Sequence, residues 1–168
     1  EDYSYIWRPA IEDHSQNRDS SAKNALVEAV RDAAEQVVRQ DPESLPRIVG
    51  ELESRRWKVF RRVALHLIER FVEHAASLAE ARVADRAAFD DIGVRHEYYH
   101  LLRAAFSVLS ENAKQRILEY IEQGPDMEVA AGWLRDALKH EPSESELLRY
   151  KRAWQLKYLS AAKHALPQ

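Results

Sequence analysis

Two histidines four residues apart bracket a glutamate in His96-Glu97-Tyr98-Tyr99-His100, an H-E-x-x-H pattern. On a helix this spacing stacks the two imidazoles one turn apart on one face. Two such nitrogens can grip one zinc ion, and the carboxylate between them is the residue type that serves as general base toward zinc-bound water. A second candidate is Arg55-Arg56-Trp57-Lys58-Val59-Phe60-Arg61-Arg62, where basic and aromatic residues interleave. Arg55, Lys58 and Arg62 are its candidate phosphate contacts, because Lys and Arg hold nucleic acid through charge and counterion release. The competing reading buries Trp57 and Phe60 and leaves Lys58 and Arg62 on an exposed face, with Glu51, Glu53, Glu69 and Glu73 diluting the field. Trp7, beside Tyr3 and Tyr5, is the tryptophan expected to touch a partner. Trp57, Trp133 and Trp154 sit on apolar stripes and are expected in the core. Asp13-His14 is read as surface, since adjacent helical residues point about 100° apart. No Ser-His-Asp arrangement, P-loop or dinucleotide fingerprint is present.

Composition removes whole classes of chemistry. Among 168 residues there is no cysteine, which excludes disulfide frameworks, thiolate zinc sites, iron–sulfur clusters and cysteine nucleophiles. Four glycines are too few for a Gly-rich phosphate loop or a turn-dense barrel. Lys plus Arg number 25 against 28 Asp plus Glu, a net charge of −3, so the chain is no global polycation. No apolar run reaches the roughly 18–20 residues that span a bilayer. The start Glu1-Asp2-Tyr3-Ser4 has neither an initiator Met nor a basic and apolar leader. It reads as the cut end of a longer cytoplasmic polypeptide.

The elements that must position these residues are helices. Apolar residues recur three and four apart nearly throughout, and period-two alternation is almost absent. Pro9 suits the first position of a short helix through Asn17. Ser20 or Ser21 caps a long helix to about Gln40, with Leu26, Val30, Ala33 or Ala34, and Val37 inward. Leu45, Ile48, Val49 and Leu52 mark the next helix. A stronger one is expected from Arg55 to about His74, burying Trp57, Phe60, Val63, Ala64, Leu67, Ile68 and Phe71. The weakest pattern is 75–93, a broken helix with a loop at Asp90-Asp91-Ile92-Gly93. Tyr98, Leu101, Leu102, Ala105 and Leu109 then define the inward side of the helix carrying the H-E-x-x-H pattern. His96 and His100 fall opposite, beside Arg103 and Ser107, on a solvent-facing stripe. Ser110, Asp126 and Ser143 cap three further helices, the last through a capping box with Glu146. Ile117, Leu118 and Ile121 are inward on the first of these. Val129, Trp133, Leu134 and Ala137 are inward on the second, and Leu147, Tyr150, Trp154, Tyr158 and Ala161 on the third. The expected fold is all-α: seven or eight antiparallel amphipathic helices in one domain over 1–168, joined by short connections.

Two resemblances add to this reading. Over residues 44–71 the chain resembles one HEAT-type helical repeat. Phe60-Arg61-Arg62-Val63-Ala64-Leu65-His66-Leu67-Ile68 carries most of that family's apolar–Arg–x–x–Ala–x–x–x–Leu second helix. The chain is also similar to helical regions of large multidomain bacterial proteins. These resemblances imply a stacked HEAT-like superhelix or bundle without chemistry of its own, presenting a surface to a protein partner or to neighbouring domains. The H-E-x-x-H pattern with Glu119, nineteen residues after His100, is similar to the gluzincin metallopeptidases. That likeness implies His96, His100 and Glu119 as zinc ligands and Glu97 as base. Glu119 lies opposite Ile117 and Ile121, on an outward stripe. The leading expectation is therefore a non-enzymatic interaction scaffold with no cofactor. A zinc metallopeptidase is the first alternative, and nucleic-acid contact through 55–62 is the second.

Overall fold

The computed structural model of the chain describes residues 2–17 and 21–163. All regular structure among them is helical: Ser4–Trp7 (α1), Ala22–Gln40 (α2), Leu45–Glu53 (α3), Lys58–Arg70 (α4), Ala76–Val83 (α5), Arg86–Asp90 (α6), Arg95–Ala105 (α7), Glu111–Gln123 (α8), Met127–Leu138 (α9) and Glu144–Ala162 (α10). Four short 3-10 turns lie between them. The all-α class expected from the periodicity is what forms. Among the described residues there are ten helices rather than seven or eight, because the weak 75–93 stretch folds into two short helices and a first turn forms at Ser4, while 9–17 forms none.

Capping sets several boundaries where the sequence places them. The Ser110 hydroxyl accepts from the Ala113 amide, and the Asp126 carboxylate accepts from the amides of Glu128 and Val129. Ser143 and Glu146 close both halves of a capping box. Each satisfies amides that helix geometry leaves without a partner, at roughly 1 kcal/mol per cap. Gly124 ends α8 at φ 84°, a left-handed conformation that only glycine enters without strain. Ser21 stands at the start of α2, and Ser20 lies outside the described residues.

The core runs from α3 and α4 through α7 to α10. Helix α4 is buried continuously from Arg62 to Ile68 and packs on α3, α2, α5 and α7. At its far end Phe89, Tyr98, Trp154 and Tyr158 form an aromatic cluster, with the Phe89 ring 4.8 Å from both Trp154 and Tyr158. The Tyr98 hydroxyl donates to the Val83 carbonyl at 2.5 Å. Thus the stretch with the weakest sequence pattern supplies the ring on which α7 and α10 meet.

Four expectations are corrected. Segment 9–17 is not a helix; it is an irregular strap whose backbone is held by side chains from other elements and by its own Asn17. Helix α2 turns Asn24, Arg31, Glu35 and Val38 inward, leaving Leu26, Val30 and Val37 exposed. Its polar face is buried because it secures the strap and His66, as described below. Helix α4 begins at Lys58, so Trp57 stands at its cap in extended conformation, 47% exposed, with the Arg56 guanidinium over its ring. Trp133 is 50% exposed on α9, of which only Ala130 is buried. Of the three tryptophans expected in the core, Trp154 alone is there.

Candidate functional site

The strap 9–17 carries backbone polar groups into a partly buried place, and a backbone there must find partners. Side chains provide them. The Ile11 carbonyl accepts from Arg8 Nη2 at 3.0 Å and Arg31 Nη1 at 2.9 Å. The Pro9 carbonyl accepts from Arg62 Nη2, and the Asn17 amide donates to the carbonyls of Ala10 and Glu12. The Ile11 amide donates to Glu97 Oε1 at 3.1 Å. Arg8 is fully buried and also reaches Asn24 and Glu28 on α2.

Arg62 and Glu97 form the centre of this junction. The guanidinium donates through Nε and Nη2 to both carboxylate oxygens, and neither side chain reaches solvent. Fork-to-carboxylate geometry of this kind is the strongest form of the ion pair. Two sequence expectations change here. Arg62 is not on an exposed basic face, and Glu97 is engaged on both oxygens by Arg62 and the Ile11 amide. A general base must instead reach the water it deprotonates.

Because Glu97 and Arg31 hold Ile11, the next residue is delivered onto α7. Glu12 Oε1 lies 2.7 Å from His96 Nε2, and the His96 and His100 rings stand 4.6 Å apart. One ligand atom from each of Glu12, His96 and His100 lies within 4.8 Å of the others, and all three residues are half-buried. Burial pushes the Glu12 carboxyl up, but the hydrogen bond from His96 and the charges of both histidines outweigh it and hold it at about 2. Burial, with the neighbouring His96 charge, lowers His100, against the pull of Glu12 and Glu69. Glu12 and His100 sit at the edge of a polar cleft of about 620 Å³ that also meets Arg31, Glu35, Arg39 and His66. At its floor His66 Nε2 and Glu35 Oε1 are 2.9 Å apart.

The structure brings His96 and His100 together and supplies Glu12 as their carboxylate. Glu119 is elsewhere: it is exposed on α8, where it accepts from Gln115. Glu12 was invisible to spacing because it lies 84 residues from His96 and no local motif marks it. The solvent-stripe expectation is revised to half-burial, because the strap covers that side of α7. Asp13 and His14 are exposed as expected, with Asp13 also pairing with Arg31.

The basic run is largely neutralised. Arg55 pairs with Glu51, Lys58 with Asp91 at 2.9 Å and Arg61 with Asp85 at 3.3 Å. Trp7 is half-buried, with Lys23 Nζ 4.8 Å above its ring.

No helix among the described residues is long and apolar enough to cross a membrane. Comparison with family models, with curated proteins and with solved structures finds no match to this chain.

Proposed function

We propose that this chain is a non-enzymatic helical scaffold, stacked in HEAT-like fashion, that binds a protein surface of a partner or neighbouring domain. The observation that carries the reading is the exposed apolar side chains concentrated on α9 and α10. Val129 is 70% and Leu156 68% exposed, and Trp133, Leu138, Leu148 and Leu159 are also exposed on these two helices. Single exposed apolar residues are ordinary, but a concentration on consecutive helices marks an interaction surface. Trp133 is the natural anchor, because a large ring that buries late contributes disproportionately to binding.

The alternatives have less support. The peptidase reading needs Glu97 as a base, and Glu97 is committed to Arg62. The nucleic-acid reading needs a patch of free cations over 55–62, where Arg62 is buried, Arg55, Lys58 and Arg61 face carboxylates, and Arg56 lies over the Trp57 ring.

The test places a photo-crosslinking residue at position 133, and as a control at exposed position 119, in cells that produce the protein. A discrete protein adduct from position 133 alone is the expected result. Equal adducts from both positions, or none from either, discard the reading.

A further inference from the structure

The geometry points to Glu12, His96 and His100 as a binding site for one divalent transition-metal ion of the zinc class, fastening the strap 9–17 to α7. The donor set comes first. Two imidazoles and one carboxylate suit zinc, whereas calcium and magnesium take oxygen-rich sites. Separation comes next. Ligands bonded to a tetrahedral zinc at ~2.0–2.2 Å stand roughly 3.3–3.6 Å from one another. The three ligand atoms already lie within 4.8 Å, so side-chain rotation of about an ångström closes the set.

The scaffold behind the ligands is fixed. His96 and His100 occupy successive turns of α7, whose inner face is buried at Glu97, Tyr98, Leu101 and Leu102. Glu12 is held from the other side: its own carbonyl accepts from Asn17, and Ile11 is tied to Glu97, Arg8 and Arg31. The single carboxylate reaches His96, and the His100 ring makes no hydrogen bond with another described residue. An ion would engage all three at once. Solvent, or the exposed His14 ring 6.5 Å from that of His96, is available for a fourth position.

The role is structural. Both Glu97 oxygens are taken by Arg62 and the Ile11 amide, so the base that the H-E-x-x-H spelling supplies is spent, and the role assigned to an ion here is to join two segments. This inference does not depend on the interaction face of α9 and α10. It gives the H-E-x-x-H pattern a use different from the one its spelling suggests: the histidines bind, and the glutamate anchors the strap that delivers the third ligand.

The experiment uses the untagged full chain, stripped with chelator and titrated with zinc chloride against a chromophoric competitor. The expected result is one saturable zinc per chain, with magnesium chloride failing to compete. His100→Ala and the near-isosteric Glu12→Gln should each weaken binding about tenfold or more. At one zinc concentration, the melting temperature of the wild type should rise clearly more than that of His100→Ala. No saturable binding overturns the inference. So does zinc binding of equal strength in the wild type and in both variants, which would mark adventitious capture by other surface histidines.

Discussion

Arg62 and Glu97 meet in a two-point ion pair, Nε to Oε2 at 2.9 Å and Nη2 to Oε1 at 2.8 Å, closed off from solvent. The pair joins α4 to α7 and at the same time holds the strap, through the Pro9 carbonyl and the Ile11 amide. Burying two charges is costly, and their mutual attraction offsets that cost only while both are present.

Removing one partner should therefore be far worse than removing both. Arg62→Ala or Glu97→Ala is expected to cost about 3–5 kcal/mol, because each leaves an uncompensated buried charge. The joint change Arg62→Met with Glu97→Leu should cost much less than the two single changes together. Urea unfolding measures all of these. A Glu97→Ala variant within about 0.5 kcal/mol of wild type would place Glu97 outside the core of the fold.

The tryptophans should separate cleanly. Trp154 meets Phe89 edge-on and Tyr158 at a tilt and is buried, so Trp154→Ala should cost about 3–5 kcal/mol. Trp57→Ala and Trp133→Ala remove half-exposed rings and should cost about 1 kcal/mol or less. Thermal and denaturant melts of the three variants check the order.

Helix α9 should be the least protected of the long helices. It buries only Ala130, whereas α4 buries seven consecutive residues. Native-state hydrogen exchange is expected to show α9 amides opening with a much smaller free energy than those of α4 and α7. Asp126→Ala should open α9 further by roughly 1 kcal/mol, the value of its cap, without moving the exchange of α4. Equal protection of α9 and α4 would contradict this ordering.

The capping box on α10 makes a pH prediction. Hydrogen bonds from the Ser143 hydroxyl and amide hold the Glu146 carboxyl below its ordinary value of 4.5, assisted by His140 and Arg149. A carboxylate whose folded value is depressed contributes stability that is fully present above the unfolded value and is lost as pH falls through the folded one. Acid should therefore loosen the start of α10 below about pH 4.5, with no effect of this group at neutral pH. In Glu146→Gln the helix start should lose that pH dependence, read by exchange or NMR of the Ser145–Leu147 amides. Persistence of the same acid transition in the variant would assign it to another group.

What the sequence determined by itself was local. Ser110, Asp126 and Ser143 start their helices, and Gly124 stops one, because a cap needs only the three or four residues beside it. The i, i+4 spacing likewise put His96 and His100 on one face of α7. Tertiary structure decided everything that spans the chain. Glu97 meets Arg62 across 35 residues and the Ile11 amide across 86, and Glu12 meets His96 across 84. Hydrophobic periodicity treats apolar faces as buried and charged faces as wet, so it turned α2 the wrong way. It also placed Arg62 on the surface, while the H-E-x-x-H spelling offered Glu97 as a base in the alternative reading. A buried polar face is stable only when distant donors and acceptors complete one another, and that completion appears only once the strap, α2, α4 and α7 are packed together.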